Sequence, residues 1–222
     1  MLTSPTEINP TNLPKILILG ATGPTARQIV RQAVARGYDV TALVRSPEKA
    51  ADLVGARIVV GDARDEEALC QAVKGRDTVI SALGTPASPF REVTLLSTAT
   101  RALVDAMKAE GVKRLVAITG IAAGDSAGHG GFLFDNLIFP LLLRKVYADK
   151  DRQESIIRNS ELAWTIVRPS ILNNKPGGKP VRALTSFDTF HGGSISREDV
   201  ATFVLDQCDT DKWLHETPLI SW

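Results

Sequence analysis

Gly20, Thr22, Gly23, Pro24 and Thr25 are the residues whose types and spacing could most directly do chemistry. They follow the apolar run 15–19 and lead into a helical stretch. Gly20 permits a tight turn there, and Gly23 lets the backbone approach an anion with no Cβ in the way. The N–H groups of the next turn then point at that anion with the helix dipole behind them. Thr22 and Thr25 add hydroxyl donors, and Pro24 suits the first helical turn, where its missing N–H costs nothing. The pattern is that of a pyrophosphate site for a nucleotide, although a purely structural turn in an α/β domain would carry the same glycines.

Three further groups stand where such a nucleotide would reach. Arg45 follows the second apolar run, where a site for NAD usually places a carboxylate to accept from the ribose 2′-hydroxyl. An arginine there favours the 2′-phosphate of NADP, the plain alternative being a solvated surface side chain. Asp62 and Ala63 follow the third run. Asp62 is placed to accept from an adenine amino group, and a helix-capping role would look the same. Ala82, Leu83 and Gly84 follow the fourth run and let backbone approach a ribose.

These residues need strand ends to hold them. Apolar, β-branched runs at 15–19, 39–44, 56–60, 78–82, 114–119 and 163–167, with a short one at 218–220, read as strands. Stretches at 25–36, 66–73, 94–110 and 149–159 read as helices, several closed by a glycine such as Gly37, Gly75 or Gly111. Strict alternation of this kind predicts an α/β fold, a Rossmann-type doubly wound parallel sheet with right-handed crossovers. Ligands in such a sheet lie outside the carboxyl ends of the strands. No repeat or linker interrupts the alternation. The expectation is a loose tail over residues 1–13 and one domain over 14–222, with a small C-terminal substrate-side region and a loop over the site at 173–193.

Composition agrees. The 222 residues are 44% hydrophobic, enough for a sizeable core, and 26 basic against 25 acidic residues give no surplus charge for nucleic acid. Two cysteines, Cys70 and Cys208, lie outside any metal-ligand spacing and suit a reducing compartment, so the cytoplasm is expected. The apolar stretch 132–143 is broken by Asp135, Asn136 and Pro140 and is too short to cross a membrane. It reads either as a buried segment or as the wall of a substrate pocket or oligomer contact. A monomer or weak homodimer is expected.

Taken together, Gly20-Ala21-Thr22-Gly23-Pro24-Thr25, Val44-Arg45, Gly61-Asp62, Ser81-Ala82-Leu83-Gly84 and Thr165-Ile166-Val167-Arg168-Pro169 resemble the atypical short-chain dehydrogenase/reductase family. The resemblance is strongest to its NAD(P)H-binding, NmrA-like branch, which includes biliverdin-IXβ reductases, and it spans nearly the whole chain after the tail. It implies a Rossmann-type sheet, bound NADP(H), a cofactor contact at Pro169, and either hydride transfer to flavins, quinones or tetrapyrroles or a sensing role without turnover. Three positions depart from the pattern: Ala26 replaces the glycine that closes the phosphate loop, Gly120 replaces a serine facing substrate, and Pro86 replaces an arginine bordering it. The last two stand against reduction of a tetrapyrrole itself.

Members with the full catalytic signature use a tyrosine and a lysine four residues apart on one helix. The lysine holds the nicotinamide ribose and eases ionisation of the phenol. This chain offers Tyr147 and Lys150, three apart and still on one helical face. Lys150 reads as a cofactor contact and Tyr147 as an acid, or the two are a half-buried tyrosine beside a lysine paired with Asp149 or Glu154. Thr119, at a strand end, could bond the nicotinamide amide or the substrate, or be a plain strand-end hydroxyl. His129 sits in a glycine-rich loop and reads as solvated. His191 and His215 have no partner at ligand spacing, so no metal is expected. The sequence therefore predicts an NADPH-dependent reductase acting on a planar, apolar small molecule, with a non-catalytic NADP(H)-binding regulator as the alternative.

Overall fold

The computed structural model describes residues 13–86, 92–121, 123–124, 143–186, 190 and 192–222. Most of the tail, residues 87–91, all of the stretch 132–143 except Leu143, and both His129 and His191 lie outside them.

The strands are β1 (Lys15–Leu19), β2 (Asp39–Val44), β3 (Arg57–Val60), β4 (Thr78–Ser81), β5 (Arg114–Ile118), β6 (Ala163–Pro169), β7 (Ile171–Asn173), β8 (Arg182–Leu184), β9 (Ser194–Ser196) and β10 (Leu219–Ser221). The helices are α1 (Pro24–Ala35), α2 (Glu66–Val73), α3 (Leu95–Ala109), α4 (Arg144–Arg158) and α5 (Arg197–Asp206). Eight strands form one sheet in the order β3-β2-β1-β4-β5-β6-β10-β8. Every pair in it is parallel except β8 against β10. The order reverses between β1 and β4, the doubly wound topology that the alternation predicts.

The apolar runs are continuous because both faces are covered. Alternate residues of β1 divide between two cores. Ile16 and Ile18 pack with Ile29 and Val30 of α1 and Val200 and Val204 of α5, while Leu17 and Leu19 pack with Leu69 of α2, Met107 of α3 and Ile157 of α4. The first strand thus nails the sheet to both helical layers.

Helix starts follow local chemistry in two cases and tertiary contact in a third. Asp65 accepts from the backbone N–H groups of Glu67 and Ala68 to start α2, and Ser196 accepts from Asp199 N to start α5. For α3, Thr94 makes no side-chain cap. Its orphan N–H groups are met instead by Asp149 of α4, which accepts from Leu96 N at 2.8 Å and from Ser97 N and Oγ.

Several boundaries differ from those expected. Helix α4 begins at Arg144 rather than at 149, which places Tyr147 and Lys150 within it. Helix α5 was not anticipated, although Ser196 followed by Glu198 and Asp199 is an N-terminal signature. Part of the expected loop 173–193 is strand: β8 lies within it and joins the main sheet, while β7 and β9, at its two ends, pair with each other.

Candidate functional site

The turn after β1 is shaped by steric closeness. Gly20 adopts φ +73°, and a Cβ there would lie 2.6 Å from the carbonyl oxygen of Ala82 at the end of β4. Only glycine fits, on both conformational and contact grounds. Gly23 N donates to Gly20 O at 2.9 Å, closing the turn, and a Cβ on Gly23 would come within 3.2 Å of that same oxygen. Helix α1 then starts with Pro24. Arg27 braces the turn from behind by donating from Nε to Thr22 O at 3.1 Å while its guanidinium pairs with Asp52. Backbone N–H groups, a helix N-terminus and space kept clear of side chains fit a dinucleotide pyrophosphate.

A cavity of about 560 Å³ opens at this point, along the carboxyl ends of the central strands. Gly20, Thr22, Gly23, Pro24 and Thr25 line one side, and Arg45, Asp62 and Ala63 line the β2 and β3 side. Ala82, Leu83 and Gly84 form its middle, and Thr119 and Lys150 line the β5 side. Folding thus brings all these sequence-chosen residues to one cavity, from six segments of the chain. Two predicted site residues do not line it: Tyr147, and Pro169, which is buried at the end of β6, where its carbonyl accepts from Ile121 N at 2.9 Å.

At the β3 end, Asp62 is not the cap of α2, a task taken by Asp65. Its carboxylate accepts instead from Arg64, at 3.0 Å from Nε and 2.7 Å from Nη2, and from Arg64 N at 2.9 Å. Those bonds, with the charge of Arg45 added, hold the carboxyl down at about 2, so it is an anion throughout the physiological range. Arg45 stands exposed on the rim.

The β5 end is built from side chains. Lys150, half-buried, donates from Nζ to the carbonyl of Thr119 at 2.5 Å and lies 4.8 Å from the centroid of the Tyr147 ring. Neither Asp149 nor Glu154 is its hydrogen-bond partner. Burial lowers the ammonium to about 8, against the opposing pull of Glu154. Tyr147 is buried and forms no part of the cavity wall among the described residues. Burial, then Asp151, pushes its phenol up to about 12. Gly120 explains how both fit: at φ +153°, a Cβ there would sit 3.1 Å from Lys150 Nζ and 3.2 Å from Tyr147 Oη. The room that a serine would use at this position holds the ends of those two side chains.

Other residues of the site were not singled out from sequence. Leu95, Ile118, Leu172 and Arg197 line the cavity, with Arg197 donating to Asn174 Oδ1 at 2.7 Å. Beneath Thr119 lies a buried pair, Glu154 and Arg168. Its signals were an arginine inside an apolar strand and a glutamate four residues after Lys150 on one helical face. Among the described residues no group of His, Cys, Asp and Glu gathers as a metal site, and His215 contacts Leu162 O at 3.1 Å. No helix among them is long and apolar enough to cross a membrane.

Comparisons with known proteins agree with this geometry. An uncharacterized chloroplastic protein of Arabidopsis thaliana is 32% identical over 204 residues, covering 86% of this chain and 71% of that one. The uncharacterized sugar epimerase YhfK of Bacillus subtilis is 30% identical over 201 residues, 88% of each. Among solved structures, ChuY, an anaerobilin reductase from Escherichia coli O157:H7, superposes with a TM-score of 0.80 over 93% of this chain and 96% of that one; at 21% identity it speaks for the fold alone. The family described as NAD(P)H-binding matches residues 20–211. With its doubly wound sheet and glycine-cradled cavity, the chain belongs to that NAD(P)H-binding family.

Proposed function

We propose that the protein is an NADPH-dependent oxidoreductase that delivers hydride to a flat, apolar small molecule in a reducing compartment such as the cytoplasm. The observation that carries this reading is the arrival of Lys150 and Thr119 in the same cavity as the glycine turn. Binding and chemistry thus share one space.

Bound NADPH supplies the hydride, and the chain's residues hold and orient it. In this reading the N–H groups of the turn, with Thr22 and Thr25, take the pyrophosphate. Arg45 takes the 2′-phosphate and Asp62 accepts from the adenine amino group. Ala63, Ala82, Leu83 and Gly84 keep the walls thin along the adenine-side ribose. Lys150 holds the nicotinamide ribose. The Thr119 hydroxyl already donates to Glu154, so its oxygen is left to accept from the carboxamide N–H of the nicotinamide. Pro169 acts from behind by closing β6. Leu95, Ile118 and Leu172 exclude water and offer a flat acceptor an apolar wall. Where that acceptor needs a proton, water or Tyr147 provides it; a phenol near 12 gives up its proton only to a strongly basic site.

The test is oxidation of NADPH, with NADH as control, against flavins, quinones and biliverdin at fixed protein concentration. Turnover preferring NADPH supports the reductase and Arg45. Binding of NADPH without turnover on any acceptor favours a redox-sensing regulator. The name of the Bacillus subtilis relative keeps a third reading in view, and cofactor retained through purification with turnover of a sugar substrate would favour it.

A further inference from the structure

The β5 end of the cavity rests on an ion pair to which the proposed chemistry assigns no task. Arg168 is 0% exposed and Glu154 2% exposed. The guanidinium meets the carboxylate twice, Nε to Oε1 at 3.0 Å and Nη2 to Oε2 at 2.6 Å. Two charges taken out of water are costly, and apolar residues of similar volume commonly serve stability as well or better. Packing alone therefore gives no reason for the pair.

The other contacts of the carboxylate do. The Thr119 hydroxyl donates to Glu154 Oε1 at 2.7 Å, the Thr119 carbonyl accepts from Lys150 Nζ, and Thr119 N donates to Val167 O at 2.9 Å. A chain of bonds thus runs from Arg168 through Glu154 and Thr119 to the ammonium in the cavity. The segment after β5 closes over it so tightly that a Cβ on Gly124 would lie 2.5 Å from Arg168 Nη2 and 3.1 Å from Glu154 Oε2. Arg158 approaches the same carboxylate at 3.6 Å.

We propose that Glu154 is a positioning residue: anchored by Arg168, it fixes Thr119 and so sets the carbonyl that aims Lys150 into the cofactor cavity. The inference rests on the reading that Lys150 binds NADPH. Its carboxylate also opposes the loss of the Lys150 proton that burial favours. Among the described residues, the other charged or titratable groups near Lys150 are Tyr147, Asp149 and Asp151 on its own helix, with Arg158 and Arg168 behind Glu154. Arg45, Asp62 and Arg197 line the same cavity.

The experiment is a fluorescence titration of NADPH on the full chain between pH 6 and 10, with the melting temperature recorded for each variant. In the unaltered protein affinity should fall as pH rises through about 8. Glu154→Gln should weaken binding at pH 7 about tenfold and move that fall about one pH unit towards acid. Should E154Q not fold, the double variant Glu154→Met with Arg168→Met replaces the pair by apolar volume. It should melt at an unchanged or higher temperature yet bind NADPH about tenfold more weakly. A well-folded variant of either kind with unchanged affinity and pH profile overturns the proposal. Lys150→Met separates the two ideas. If K150M leaves affinity unchanged, the cofactor reading falls and takes this inference with it. If K150M weakens binding but the Glu154 variants do not, only this inference falls.

Discussion

The two ends of the cavity are built from different materials. At the β1 end, the cradle proposed for an anion is made of main chain: Gly20 and Gly23 in a turn of four residues, a helix N-terminus, and Ala82 O close enough to forbid a side chain. At the β5 end, Lys150, Thr119, Glu154, Arg168 and Tyr147 converge from α4, from β6 and from the residue just after β5. The contrast teaches where tolerance lies. A main-chain site has no spare rotamer with which to absorb an intruding atom, whereas a side-chain site can lose one partner and keep part of its geometry.

The largest effect should therefore come from the turn. Gly20→Ala places a methyl group 2.6 Å from a carbonyl oxygen on a backbone at φ +73°. Relieving about 3 kcal/mol of such strain corresponds to roughly a hundredfold weaker NADPH binding, read by titration. Tenfold or less would mean that the main-chain end is softer than its geometry implies.

Lys150→Met should come next, with binding weakened about thirtyfold at pH 7, the worth of a hydrogen bond from a charged donor. Two slopes of opposite sign should accompany it. NADPH affinity of the unaltered protein should decline above pH 8 as the ammonium is lost. Stability of the cofactor-free protein should rise over the same range: a lysine at about 8 when folded and near its ordinary 10.5 when unfolded leaves more protons on the unfolded chain between those values. The difference in melting temperature between K150M and the unaltered protein should accordingly shrink from pH 7 to pH 10. Parallel slopes would show that Lys150 is not the titrating group.

Arg45→Ala tests the exposed rim. NADPH affinity should fall about tenfold while NADH affinity stays within about twofold, as expected for one charge-assisted bond to a phosphate. Equal losses for both cofactors would remove the 2′-phosphate from its role. Arg64→Ala should have the smallest effect, under about threefold, since an exposed ion pair contributes little. A larger change would mean that Arg64 orients Asp62 for the adenine.

Much of this was legible in sequence, for a local reason. The turn, its proline and the strand before it are contiguous, so spacing alone discloses the glycine turn, and residues that end parallel strands must share one edge of the sheet. Tyr147 and Lys150 were legible as a pair because three residues bring them to one face of a helix. What they would meet was not. Glu154 and Arg168 lie on different elements, and only the packing of α4 on β6 turns a surface-looking glutamate into a buried partner. Asp149 looked like a partner for Lys150, yet helix packing turns it to the N-terminus of α3.

The amino-acid sequence by itself determined the doubly wound sheet and the glycine turn after β1, because both follow from periodicity and from residues adjacent in the chain. Only the tertiary structure decided that Gly120 leaves room for Lys150 Nζ and Tyr147 Oη. It alone decided that the Thr119 hydroxyl is bound to a buried carboxylate. Those are contacts between side chains on separate elements, and their distances come from how the layers pack rather than from any spacing along the chain.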